Sequence, residues 1–261
     1  MARCGQAAAA FWLAAAGAAA QSNAPAQCAE RSIARQLERA PVILGDWPNL
    51  ARYREANARL PPPATAEDRV VFMGDSITEG WSAAAAGGFF PGRPYVNRGI
   101  SGQTTPQMLV RFRPDVIALL PKAVVILAGT NDIAGNTGVA PLSAVEDNLA
   151  SMAELARLHG IRVVLCSVLP VDDDDHDGQG QPLNRTRCRP PAQIAELNRW
   201  LRRYAEEHGH TYLDYASAVA DEKGMLKADL SDDGLHPNAR GYAVMAPLAE
   251  KAVAAALKKR P

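Results

Sequence analysis

Five short runs rich in β-branched residues decide what this chain can fold into. They span 69–73, 95–98, 124–128, 162–167 and 211–215, and the first three run directly into Gly74, Gly99 and Gly129. Between and after them lie segments with apolar residues at helical spacing, at 104–120 (interrupted by Pro114), 141–159, 190–208 and 238–258. Strands that are apolar throughout must be covered on both faces, and strand–helix alternation collects them into one parallel sheet. The pattern predicts one doubly wound α/β domain.

The chain ahead of the first strand is organised differently. Residues 1–20 carry one cation, Arg3, an apolar run from Ala7 and a small-residue end at Ala18–Ala20. This is the pattern of a signal peptide, so the expected location is secreted or periplasmic. Residues 28–40 and 48–59 have helical spacing and Pro61, Pro62 and Pro63 stop them, which predicts an N-terminal helical extension and linker over 21–63 and the main domain over 64–261. Removal of 1–20 leaves Cys28, Cys166 and Cys188, one pair and one spare thiol in an oxidising compartment. Cys166 sits in an apolar run and reads as a core residue.

Charge and hydropathy exclude some partners. Twenty-eight Lys and Arg balance 28 Asp and Glu, which argues against a nucleic-acid partner. After the first twenty positions no apolar run is long enough to span a membrane. Residues 170–190 are polar and bounded by prolines. Asp173, Asp175, Asp177 and Gly178 match the opening of a calcium loop, but Asn184 stands where the closing glutamate belongs, so the segment reads as a solvated acidic loop and no metal is expected.

The carboxyl ends of parallel strands share one edge, and ligands bind in the crevice there. Ser76, Gly99 and Asn131 each follow a strand and should meet at that edge. A serine nucleophile needs a base. Of five histidines, His236 alone lies after the fifth run and before the last helix, and Asp233 can hold its ring. That composes a Ser76–His236–Asp233 relay, with the Ser76 and Gly99 backbone N–H groups and the Asn131 amide as donors to an oxyanion. Asp75, Trp81 and Ile133 are candidates for substrate contact, and Trp81, Phe89, Phe90 and Tyr95 for an aromatic platform.

The blocks FMGDSITEGW (72–81), VNRGISGQTT (96–105), VILAGTNDIAGNTG (125–138) and DGLHPNARGY (233–242) resemble those of the SGNH, or GDSL-type, esterase and lipase family. The resemblance runs from residue 69 to the end. It implies a flavodoxin-like three-layer α/β/α sandwich with a five-stranded parallel sheet and a serine ester hydrolase without metal or cofactor. The family's four eponymous residues fall on Ser76, Gly99, Asn131 and His236. Small residues around these blocks favour a short acyl group, with an acetylated carbohydrate or other small ester as substrate. The alternatives are a lysophospholipase or thioesterase, or a carbohydrate-binding module that keeps the fold without catalysis.

Overall fold

The computed structural model describes residues 37, 40–84, 88–173 and 184–259. The signal-peptide segment, Cys28, the start of the 28–40 helix and most of the acidic loop lie outside the described residues.

The five strands are β1 Val70–Gly74, β2 Tyr95–Gly99, β3 Ala123–Leu127, β4 Arg162–Cys166 and β5 Thr211–Leu213. All pairs are parallel, in the order β2-β1-β3-β4-β5. The helices are α1 Ala40–Gly45, α2 Arg54–Arg59, α3 Ser76–Ala84, α4 Thr105–Asp115, α5 Thr130–Ile133, α6 Leu142–Leu158, α7 Arg185–Cys188, α8 Pro191–Glu207, α9 Ala216–Val219 and α10 Ala239–Lys258. The chain folds as the flavodoxin-like three-layer sandwich that the blocks imply.

Strand alternation sorts the core into two layers. Val71, Met73, Val124 and Ile126 meet Met108 and Phe112 of α4, Leu149 and Met152 of α6 and Leu197 and Leu201 of α8. Val70, Phe72, Val125 and Leu127 meet Ile77 and Trp81 of α3 and Tyr242, Met245 and Val253 of α10. In this second layer Trp81 stacks on Tyr242 with ring centroids 5.0 Å apart, and Phe72, Phe89, Phe90 and Tyr95 close around it.

The 104–120 run is interrupted at Pro114 as expected: α4 stops one residue later at Asp115, and a 3-10 turn at Ile117–Leu119 follows. One expectation about helices needs correction. The helix expected over 48–59 forms only over α2. The Asp46 carboxylate accepts from Leu50 N and Ala51 N, both at 2.8 Å, and that local bonding makes turns instead. The extension nevertheless packs on the domain. Tyr53 Oη donates to the Gly99 carbonyl, Asn57 Nδ2 to Asp115 Oδ1 at 2.7 Å, and Arg98 Nε to Asn57 Oδ1 at 2.9 Å.

Candidate active site

In a sheet of this order the chain turns in opposite directions after β1 and β3, which opens a crevice at their carboxyl ends. Ser76 leaves β1 as the first residue of α3, and Asn131 leaves β3 in α5. His236 arrives from beyond β5 and brings its Nε2 to 2.9 Å from Ser76 Oγ. Its Nδ1 lies 2.7 Å from Asp233 Oδ2. The 231–237 turn is fixed: Asp172 N donates to the Gly234 carbonyl at 2.9 Å, and Gly234 has φ +69°, where a Cβ would overlap the Asp172 carbonyl.

Asp233 is heavily engaged. Its Oδ1 accepts from His236 N at 2.7 Å and Leu235 N at 3.0 Å, and Arg185 Nη2 reaches Oδ2 at 3.2 Å. Burial alone would raise its pKa, but the bonds from His236 and Leu235 outweigh it and hold the carboxyl well below the usual range. An ionised Asp233 keeps a proton on Nδ1 and leaves the Nε2 lone pair for the serine proton.

The donors expected for an oxyanion divide into two groups. The Ser76 N–H has no hydrogen-bond partner among the described residues. Asn131 Nδ2 makes two longer bonds, to the Gln103 carbonyl at 3.1 Å and to Asp75 Oδ2 at 3.3 Å. Gly99 does not fit the role given to it. Its N–H donates to Asn97 Oδ1 at 2.9 Å. Its missing side chain serves packing instead, since a Cβ there would overlap the Glu79 backbone nitrogen of α3. Gly102 offers what Gly99 lacks. It turns at φ +78° and its N–H is unbonded among the described residues. Asn136 Nδ2 grips its carbonyl at 3.0 Å. Glu79 grips the same turn through Ser101 N at 2.8 Å and through the Ser101 hydroxyl. The signal in the sequence was the second glycine of RGISG, which belongs to the turn rather than to the strand end.

The three candidates for substrate contact are buried. Asp75 is 1% exposed, accepts from Ile77 N at 2.9 Å, and has its carboxyl raised to about 6 by burial, against the pull of that bond. Trp81 belongs to the aromatic layer under α10, so it and its neighbours form core and not a platform. Ile133 packs with α6 residues in the other layer. The residues that sequence reasoning missed lie in the last part of the 170–190 segment that was expected to be a solvated loop. Arg185 holds Asp233, and Arg189 donates to Thr130 Oγ1 at 3.0 Å and to Asn131 Oδ1 at 3.3 Å. Asp173 does not point to a cation here; it accepts from Thr186 N at 2.8 Å and caps α7. Cys166 is a free buried thiol and Cys188 is disulfide-bonded.

Comparison with known proteins places this geometry. The family model of GDSL-like lipases/acylhydrolases matches residues 72–244. A structure described as a proposed acylhydrolase from Bacteroides fragilis NCTC 9343 superposes with a TM-score of 0.73 at 43% identity, over 82% of this chain and 99% of that one. The acetylxylan esterase of Geobacillus stearothermophilus is 25% identical over 209 residues, 69% of this chain and 90% of that protein. Uncharacterized lipoprotein YqeF of Bacillus subtilis (strain 168) is 38% identical over 79 residues, which spans 29% of this chain and only 32% of YqeF. The family match takes in all four blocks that meet around Ser76, and the chain belongs to the GDSL-like lipase/acylhydrolase family.

Proposed function

We propose that this acylhydrolase is a secreted serine esterase that removes short acyl groups, acetyl above all, from carbohydrate or another small alcohol. The observation that carries the reading is the unbroken line from Ser76 Oγ through His236 to Asp233, at 2.9 Å and 2.7 Å. His236 takes the serine proton as Oγ attacks the ester carbonyl, and returns it to the departing alcohol. Water then repeats the sequence on the acyl-enzyme. The developing oxyanion is met by the N–H groups of Ser76 and Gly102 and by the Asn131 amide. One such donor lowers the barrier by about 3 kcal/mol.

A short acyl group is supported by the small and polar residues at Ser101–Gly102 and in the 135–138 segment, whose Asn136 holds the Gly102 carbonyl. The acetylxylan esterase, by its name, acts on an acetylated carbohydrate. Secretion is supported by the pattern of residues 1–20 and by the bonded state of Cys188, since structural disulfides belong to oxidising compartments. Residues 1–20 then act as the signal, 21–63 as the extension and 64–261 as the hydrolase domain.

The test is hydrolysis of p-nitrophenyl acetate and its longer-chain esters, with acetylated xylan beside them. Turnover is expected to fall with chain length and to vanish in Ser76→Ala, which should keep the parent's melting temperature. A fluorophosphonate should label the parent and not the variant. Full activity in Ser76→Ala would remove the nucleophile from this reading, and preference for long chains would assign a lysophospholipase. Mature protein recovered from the medium or periplasm should begin at Gln21.

A further inference from the structure

Arg189 is 8% exposed, and among the described residues no carboxylate lies within ion-pair distance of it. Burial pulls its pKa down to about 10, so it enters the interior charged and at a cost. Its hydrogen bonds go to Thr130 Oγ1 at 3.0 Å and Asn131 Oδ1 at 3.3 Å. On the other side of the Asn131 amide, Nδ2 faces the buried Asp75 carboxyl. The amide therefore lies between a cation and an acid, oxygen toward the first and nitrogen toward the second. Both buried charges would be easier to accommodate if replaced by apolar groups of similar volume, so their arrangement about one amide asks for a role beyond packing.

Building on the esterase reading above, we propose that Arg189 is a positioning residue for the oxyanion donor Asn131. A bond from guanidinium to Oδ1 prevents the amide from flipping and so keeps Nδ2 on the Ser76 side. It also draws electron density toward Oδ1, which makes Nδ2–H a stronger donor to a negative oxygen. The cation contributes to the field in which that oxygen develops charge. Arg189 follows directly on Cys188, so the disulfide anchors the segment from which it reaches inward. Nothing in this requires contact between Arg189 and substrate.

The experiment is a double-mutant cycle on p-nitrophenyl acetate with Arg189→Met, Asn131→Ala and the pair. In Arg189→Met, kcat should fall about tenfold or more with KM within about twofold, because the lost interaction acts on the transition state. In the Asn131→Ala background the same change should cost less than about twofold. A folded Arg189→Met with parental kcat overturns the proposal, and so does an equal loss in both backgrounds, which would mark general structural damage. If Arg189→Met does not fold, Arg189→Lys replaces it in the cycle. Lysine keeps a charge but not the two-point fork, and its loss should likewise disappear when Asn131 is absent. Parental kcat in Asn131→Ala would instead strike at the oxyanion reading itself, and fluorophosphonate labelling of each variant reports whether Ser76 remains reactive.

Discussion

Gly99 and Gly102 stand three positions apart and do opposite work. Gly99 has no room for a side chain, because α3 crosses it with backbone against backbone. Gly102 has room, the nearest atom to a Cβ there being Asn136 Nδ2 at 3.8 Å, and only its backbone conformation resists substitution. Gly99→Ala should therefore cost about 3 kcal/mol, and Gly102→Ala about 1–2 kcal/mol; thermal denaturation of the two variants ranks them. The sequence separates these glycines only weakly: Gly99 closes a β-branched run and precedes Ile100, whereas Gly102 stands in the polar stretch that follows. What separates them is the reach of the Asn97 side chain to one N–H and not to the other. Asp75 makes a second residue-scale prediction. Burial pushes its folded pKa up to about 6, from an ordinary value of 3.8. The stability it confers is complete below the unfolded value and is lost as pH rises through about 6. By linkage the loss is on the order of 3 kcal/mol. Melting curves of Asp75→Asn should lack this component, so that the variant's stability falls less than the parent's between pH 4 and 7.

The elements themselves were largely legible. The β-branched runs became strands to within a residue or two, because a strand buried on both faces leaves no other pattern open. The long helices followed their apolar period, and α6 and α8 differ from expectation only at their ends. What the pattern hid was direction. Trp81 was read with Phe89, Phe90 and Tyr95 as an aromatic platform for substrate, yet the turn of α3 carries it to the face that meets α10. Trp81→Ala should cost about 3–5 kcal/mol as a core deletion and leave KM for p-nitrophenyl acetate unchanged at temperatures where the variant stays folded. Arg185 and Arg189 were hidden for another reason. They lie in a segment with no period and many charges, which normally faces water. Only the tertiary structure shows that α7 and the residue that ends it turn both guanidinium groups inward.

At the scale of the whole molecule, the extension and the site form one mechanical unit. Tyr53 holds the carbonyl of Gly99, and Arg52 pairs with Glu79 at 2.8 Å, whose other oxygen fixes the Ser101–Gly102 turn. Tyr53→Phe should reduce kcat by a few-fold with little change in melting temperature, as measured by steady-state kinetics beside calorimetry, since the contact bears on donor geometry more than on burial. The sequence showed that an extension exists and where it stops. It gave no sign of this bracing, because the contacts join residues roughly 25 to 50 positions apart through backbone carbonyls and one carboxylate.

The order of parts along the polypeptide has a further consequence. All five strands and the serine precede residue 214, whereas the imidazole and its carboxylate come only with the turn before α10, the helix that also closes the second core layer. A nascent chain that has not yet reached residue 233 therefore carries the Ser76 hydroxyl without the imidazole that faces it in the folded protein. The contacts among Ser76, His236 and Asp233 can form only once the 231–237 turn has been made and α10 has docked, so a shorter nascent copy holds Ser76 without its partners.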